Sequence, residues 1–397
     1  MGRIGTQDGH TVTGRATASG RIDSLEGLRV LHVTDSLNTG GLERVVVDLV
    51  AMLVQRGARV GMAAAPGGDM WAELPAGVER CPAVPEHGAG ATIAFVLSLR
   101  RALRAGGWQV LHAHQRRVAL LCRVAALGTG TRVVEHVHNV FEEPAGLRRA
   151  LSFRGHHLIA CGSAVRDMLV RDFGRPRHRV TVVKNAVADL GAGTDLTIPF
   201  SAGGLPKIVG IGRLVPQKDP VRFVEAIRAL NRHEQRVSAE WVGGGEMFDE
   251  LTEDLARDPV PGLRMSGPSR DVAAKIRGAD LLLISSRWEG LPLVALESLA
   301  LGRGVVSSDV GSCRDVVHHG LNGALFPVDS SAEQVAAVLK SCLDRENLER
   351  WGAQSRAIYV AGNRLEDMVV EVGDVYRRAL LSKRVVHRGS ENSPGNG

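Results

Sequence analysis

The chain is short of lysine, of tyrosine and of paired cysteines, and it has no long apolar run. Its five cysteines, at 81, 122, 161, 313 and 342, are odd in number, scattered, and without paired metal-type spacing. That pattern excludes a disulfide framework and fits reduced thiols, so a cytoplasmic protein is expected. No stretch approaches the roughly 18 uninterrupted apolar residues of a membrane span. Residues 1–26 are polar and lack the apolar core of a secretory signal, so they read as a flexible leader. Aromatic residues make up only 4% of the chain, and no basic motif is interleaved with them. Nucleic acid is therefore not expected as a partner.

What is present is a globular composition, 44% hydrophobic and 23% charged, in 397 residues. That length exceeds one ordinary domain and suits two of roughly 170–190 residues. The net charge is +6, yet only six of the 49 basic residues are lysine. Arginine gathers at Arg100-Arg101-Arg104, Arg116-Arg117 and Arg148-Arg149, with Lys383-Arg384 near the end. These clusters read either as a solvated basic surface or as a patch for anionic lipid or a phosphate-bearing acceptor.

Strand-like and helix-like segments alternate along the chain. Leu28–Thr34 is strand-like and leads through Asn38-Thr39-Gly40-Gly41 into a helix over Leu42–Gln55, with Gly57 just past its end. Further strands are predicted at Arg59–Ala63, Val110–Ala113, Arg132–His136, Leu158–Cys161 and Val180–Val183. After the small-residue break Asp189–Thr194 the alternation restarts, with strands at Lys207–Ile211, Ser238–Val242, Gly262–Met265, Leu281–Ile284, Gly304–Ser307 and Gly323–Phe326. Alternation of this kind implies parallel, doubly wound sheets with helices on both faces. The expected division is 27–193 for the first domain and 194–364 for the second. A C-terminal helix over 365–383 then crosses back to the first domain, and 384–397 form a flexible tail.

The most informative segment is Ser285-Ser286-Arg287-Trp288-Glu289-Gly290-Leu291-Pro292-Leu293-Val294-Ala295-Leu296-Glu297. It follows a buried-strand run, and Pro292 sits where a helix can begin. Glu289 is thus placed in a loop at the carboxyl end of a strand, and Glu297 about two turns into the next helix. Ligands of open α/β sheets bind at such loops. A carboxylate there can accept sugar hydroxyls, while amides near Leu293 and Val294 can meet an anion. A second loop, Gly210-Ile211-Gly212-Arg213-Leu214-Val215-Pro216-Gln217-Lys218-Asp219, offers a guanidinium fork and a mobile ammonium, a combination suited to a diphosphate. Gly40-Gly41 permits close approach to a ligand or simply makes a tight turn. Gly243-Gly244-Gly245 lacks the Lys-Ser/Thr of an ATPase loop and reads as a strand-to-helix turn near a nucleotide. Ser266-Gly267-Pro268 lies either near the base or in a plain turn. His112 and His114 share one strand face at period two. His114 suits a hydrogen bond to substrate or a structural place, and His112 a structural one. Glu135, His136 and His138 are conceivable metal partners, but the spacing matches no metal signature, and no metal is expected.

In this order these pieces resemble the retaining nucleotide-sugar glycosyltransferases of the GT-B fold, in the large family 4. The resemblance covers roughly residues 28–382. It is carried by the Gly40-Gly41 loop, His114, Gly212-Arg213 with Lys218, and the Glu289…Glu297 pair followed by Ala300-Leu301-Gly302. It implies an α/β protein of two Rossmann-like domains facing each other across a cleft, the donor nucleotide held by the second and the acceptor by the first. It implies that Arg213 and Lys218 hold the diphosphate, Glu297 the ribose, and Glu289 and His114 the transferred sugar, with Gly41 near phosphate and acceptor. Gly267 and Pro268 are expected near the base. A hexose or N-acetylhexosamine would pass to an acceptor hydroxyl with retention and without metal or other cofactor, a UDP-sugar being favoured over a GDP-sugar. The acceptor is a carbohydrate, a small molecule or a lipid-linked species, the last with peripheral contact at the inner face of a membrane. Pro292 and Ala186 stand where many relatives carry glycine, which alters the fine donor geometry. Two rivals share the fold: a nucleotide-sugar epimerase, which would need further acid/base residues, and a catalytically silent binding protein, which should have lost part of the charged set.

Overall fold

The computed structural model describes residues 24–81, 84, 88–142, 146–197, 204–233 and 236–388. Most of the leader expected at 1–26 and the end of the tail, from 389, lie outside these residues.

Two parallel sheets organise the chain. The first contains β1 (Arg29–Val33), β2 (Arg59–Ala63), β3 (Glu79–Arg80), β4 (Val110–Ala113), β5 (Arg132–Val137), β6 (His157–Ala160) and β7 (Val180–Val182). Its spatial order is β3-β2-β1-β4-β5-β6-β7. The second contains β8 (Lys207–Ile211), β9 (Ser238–Val242), β10 (Leu263–Met265), β11 (Leu281–Ile284), β12 (Gly304–Ser308) and β13 (Gly323–Phe326), in the order β10-β9-β8-β11-β12-β13. The central strands β4 and β11 are buried along their whole length, because helices cover both faces. In each sheet the winding reverses once, between β1 and β4 and between β8 and β11, and each reversal opens a crevice at the carboxyl ends of the strands.

The two-residue β3 carries too little apolar pattern to be seen in the sequence; the other strands fall within a residue or so of their expected bounds. Two other boundaries differ. The helix after β11 runs Leu293–Ala300 with Pro292 as its N-cap, so Glu297 lies little more than one turn in, not two. Proline fixes its own φ, but here ψ is extended and the helix waits for the next residue. The C-terminal helix, Leu365–Arg388, passes the expected limit at 383, since nothing in Lys383-Arg384-Val385-Val386 breaks a helix.

Helix Gly41–Gln55 and the C-terminal helix cover one face of the first sheet, packing Val46, Leu49, Val372 and Tyr376 on Val30, Val110 and Val134. A separate apolar cluster joins the two halves, with Val137, Leu158 and Cys161 from the first beside Ile284, Leu291, Leu296 and Val305 from the second. Polar contacts reinforce it. Asp315 accepts hydrogen bonds from the Ser163 amide (2.7 Å) and hydroxyl (2.5 Å), and Asn185 Nδ2 donates to the Leu291 carbonyl at 2.9 Å.

Candidate active site

In the second half, three loops meet at the crevice between β8 and β11. The loop after β8 is turned by Asp219, a non-glycine residue at φ +49°. Its carboxylate accepts from the Arg222 amide at 3.3 Å and from Arg287 Nε at 3.1 Å. Ser285 Oγ donates to the carbonyls of Lys218 and Asp219, each at 2.9 Å, and so ties this loop to the end of β11. The Lys218 side chain lies along Gly212, where a Cβ would stand 3.3 Å from its Cγ. The loop after β9 is pressed against the same turn. Gly243, at φ +147°, has no room for a Cβ, which would overlap the Gly212 carbonyl oxygen. The Gly243 amide donates to the Gly267 carbonyl at 2.8 Å, so Gly267 and Pro268 flank the glycine loop.

Lys218 Nζ donates to Glu289 Oε1 at 2.5 Å, and Ser286 Oγ donates to the same oxygen at 2.7 Å. Glu289 is buried and Lys218 only partly so. A charged pair at the mouth of a crevice is held in register by backbone bonds on both sides. Among the described residues no hydrogen bond engages Glu289 Oε2, which leaves that oxygen for a hydroxyl.

Arg213, exposed on the same loop, acts across the divide on Glu43 in the first turn of helix Gly41–Gln55. Burial raises the Glu43 carboxyl, and Arg213 is among the groups that oppose the rise. Gly41 faces Leu293: a Cβ on Gly41 would meet Leu293 Cδ1 at 3.8 Å. Two helix starts, each with unpaired amides and a positive dipole end, therefore approach one another at this point. Val294 follows, half-buried. Glu297 faces the first half as well. Burial pushes its carboxyl up to about 7, opposed by Arg44 and assisted by Asp48 of helix Gly41–Gln55.

His114 lies just beyond β4 and is buried. Its Nε2 is 2.9 Å from His32 Nδ1 and its Nδ1 is 3.1 Å from His138 Nε2. Burial, with the neighbouring imidazoles adding to it, holds its pKa well below the usual value, so the ring is neutral. The His138 carbonyl oxygen packs on Gly290, where a Cβ would overlap it. His114 thus reaches the Glu289 loop through one intervening residue. The structure brings Lys218 and Glu289 into contact, sets Arg213 and Gly41 at the facing helix start, and places Glu297 deeper on the same seam.

Register explains what the sequence does not show here. His32 pairs with His112 across β1 and β4, and the residue opposite Glu135 is Ala113. His112, His114, His136 and His138 therefore share one face with His32, and Glu135 points to the other. There Glu135 accepts from the Gly155 amide at 3.1 Å, and burial pushes its carboxyl up to about 8. His112 Nδ1 sits 2.6 Å from the Tyr376 hydroxyl, which fastens the C-terminal helix. Spacing at period two was visible for four of these histidines; their alignment with His32 was not. Glu43, Ser286 and Asp219 carried no signal beyond proximity to a motif. A cavity of about 190 Å³ lined in part by Lys184, Ala186, Asp367 and Met368 lies elsewhere and contains none of the expected site residues.

Comparison with known proteins adds the following. The profile described as Glycosyl transferases group 1 matches residues 198–358, and that described as Glycosyltransferase Family 4 matches 39–189. A UDP-Gal:alpha-D-GlcNAc-diphosphoundecaprenol alpha-1,3-galactosyltransferase of Escherichia coli is 22% identical over 314 residues, covering 72% of this chain and 80% of its own. A D-inositol 3-phosphate glycosyltransferase of Catenulispora acidiphila is 27% identical over 393 residues, covering 87% and 93%. Among solved structures, an Anabaena protein in complex with UDP superposes with a TM-score of 0.73 at 17% identity, covering 88% of this chain and 100% of that one. The sucrose-phosphate synthase of Thermosynechococcus elongatus superposes with a TM-score of 0.73 at 16% identity, covering 89% and 100%.

Proposed function

Because the chain belongs to the family 4 glycosyltransferases (glycosyl transferases group 1), enzymes of the GT-B fold, we propose that it transfers a hexose or N-acetylhexosamine from a nucleoside-diphosphate sugar to an acceptor hydroxyl with retention. The observation that carries this reading is the Lys218–Glu289 contact at the β8/β11 crevice, beside Arg213 and the facing helix starts.

Departure of a nucleoside diphosphate leaves negative charge on phosphate oxygens. Arg213, Lys218 and the amides at Leu293 and Val294 stand ready to meet that charge before it develops. Before donor arrives, Lys218 and Glu289 neutralise each other. Donor binding divides the pair: the ammonium turns to phosphate and the carboxylate to a sugar hydroxyl. Glu289 is then a positioning group, and the departing phosphate can take the acceptor proton. Glu297 is assigned to the ribose hydroxyls, His114 to the sugar from the opposite half, and Gly267 with Pro268 to the base. A uridine donor is favoured by the UDP in the Anabaena complex and the UDP-Gal named for the Escherichia coli relative.

The test is thermal stabilisation across a panel of nucleotides and nucleotide sugars. A ligand at 100 times its dissociation constant adds about 2.7 kcal/mol, and Lys218→Ala should erase most of that gain. If no nucleotide or nucleotide sugar moves the melting temperature, the donor site is not where this reading puts it.

A lipid-linked acceptor is favoured by one surface. Ile93 and Leu97, 62% and 50% exposed, share a face of helix Ala89–Gly106 with exposed Arg101 and Arg104. Apolar side chains flanked by arginine suit an anionic membrane surface. Ile93→Glu with Leu97→Glu should abolish co-sedimentation with phosphatidylglycerol vesicles; wild type failing to sediment would remove the membrane from the scheme.

A further inference from the structure

The transfer reaction gives a role to one imidazole of the five that share a face of the first sheet, and the other four need a physical account. His32, His112, His114, His136 and His138 stack at centroid distances between 4.0 and 5.8 Å. Burial lowers the pKa of every one, so their lone pairs are available at neutral pH. A ladder of neutral imidazoles is self-sufficient only if each N–H meets a lone pair. His136 breaks that condition: both of its ring nitrogens are buried, and neither has a hydrogen-bond partner among the described residues. Whichever tautomer it adopts, one donor and one acceptor stay unmet, a costly arrangement inside a protein.

A metal ion would take up the His136 lone pair, one half of this need, at one corner of the cluster. Nitrogens of His114, His136 and His138 lie within 4.8 Å of one another. His114 Nδ1 and His138 Nε2, 3.1 Å apart, are close to the edge of a tetrahedron built on metal–nitrogen bonds of about 2.0–2.1 Å, which is about 3.3–3.4 Å. With His114 Nδ1 on an ion, its other nitrogen must carry the proton, and it faces His32 Nδ1 at 2.9 Å, an acceptor placed where metal-bound histidines ordinarily have one. His138 is only half-buried and sits past the end of β5, against Gly290. Of the three rings it is the one that reaches the surface, so the cluster meets solvent on that side. The alternative trio, His32, His112 and His114, is fully buried, and His112 Nδ1 is already committed to Tyr376.

We propose that His114, His136 and His138 form a site for one divalent transition-metal ion of the zinc, cobalt, nickel and copper group, with His32 orienting His114 from behind. An all-imidazole set selects these ions over magnesium, calcium and manganese, which prefer oxygen. An ion on His114 Nδ1, with the Nε2 proton on His32, leaves that ring no nitrogen for a sugar hydroxyl, so ion and sugar compete for His114 and ion binding is measured without donor. The experiment is equilibrium dialysis of the tag-free full chain, stripped with chelator, against Co²⁺ and Zn²⁺. Visible absorption of the cobalt form and X-ray absorption of the zinc form complete it. One equivalent should bind, with tetrahedral-type cobalt bands, three imidazoles around zinc and no competition from Mg²⁺. His136→Leu and His138→Leu should each weaken binding at least tenfold, while exposed His178→Ala should leave it unchanged. Substoichiometric binding, fewer than three imidazoles in the wild-type spectrum, or full affinity in both leucine variants would overturn the proposal. The wild-type spectrum decides even if a variant folds poorly.

Discussion

The two sheets share their winding order and open their crevices at the same topological point, yet they line those crevices with opposite chemistry. Beyond β8 and β11 stand Arg213, Lys218 and Glu289, with Lys218 bonded to Glu289 through its ammonium and to the Ser285 hydroxyl through its backbone carbonyl. Beyond β1, β4 and β5 stand neutral imidazoles, held uncharged by burial. A fold that places ligands by topology leaves each half free to choose between charge and shape. In the proposed reaction the second half manages the leaving diphosphate, while the first presents uncharged groups to sugar and acceptor.

The sharpest way to break this contrast is to remove charge from the second crevice. Lys218→Ala and Glu289→Ala should each lower kcat/KM by about 10²–10³, the cost of removing one preorganised group from a developing charge. The double variant should cost far less than the product of the two, because each single change also strands its partner. Steady-state kinetics with the best donor from the thermal panel checks this. Multiplicative losses would mean that the two groups act apart, and normal turnover in both single variants would move the reaction elsewhere.

These residues also show why the second half was the more legible. A carboxylate pair around Gly-Leu-Pro and a lysine in a chain with only six are local signals, readable at fixed spacing. Strand alternation outlined both sheets for the same reason: it needs only neighbours in sequence. The histidine cluster needs register between three strands, and His32 is 80 residues from His112. No local pattern encodes that. Nor does any local pattern show that Glu43 lies within electrostatic reach of Arg213, or that Glu297 looks towards Arg44, since both depend on how the halves are seated.

The next effect in size belongs to the first half. His32 and His138 are lowered to about 3 by burial, from 6.5 in a solvated chain. Above pH 6.5 both states are neutral and stability is full. As pH falls from 6.5 towards 3, the unfolded chain binds protons that the folded chain refuses, and stability declines by up to about 1.4 kcal/mol per pH unit for each imidazole. Urea titrations at pH 7, 6, 5 and 4 should show midpoints falling steeply over this range, and His32→Leu should flatten the slope. A wild-type midpoint constant from pH 7 to 4 would show that the rings are solvated, and the contrast between neutral and charged crevices would fail.

The smallest expected effect tests whether the contrast is complete, because Glu297 belongs to the charged half but lies on the seam with the first. Burial against that half raises its carboxyl from 4.5 to about 7. Stability from this residue is therefore full below pH 4.5 and is lost as pH rises towards 7, where folding must hold a charge that burial disfavours. Glu297→Gln should recover stability on the order of 1–3 kcal/mol at pH 8 and nothing at pH 4, read as the difference in urea midpoint between the two conditions. The same substitution should weaken nucleotide binding, since an amide accepts ribose hydroxyls less strongly than a carboxylate does. The two readouts separate the assignments. A pH-dependent gain with unchanged nucleotide affinity would leave Glu297 a buried acid of the interface and take the ribose from it. Weaker nucleotide binding with no pH-dependent gain would mean that the charge is already solvated in the free protein, so the seam at Glu297 would not be closed.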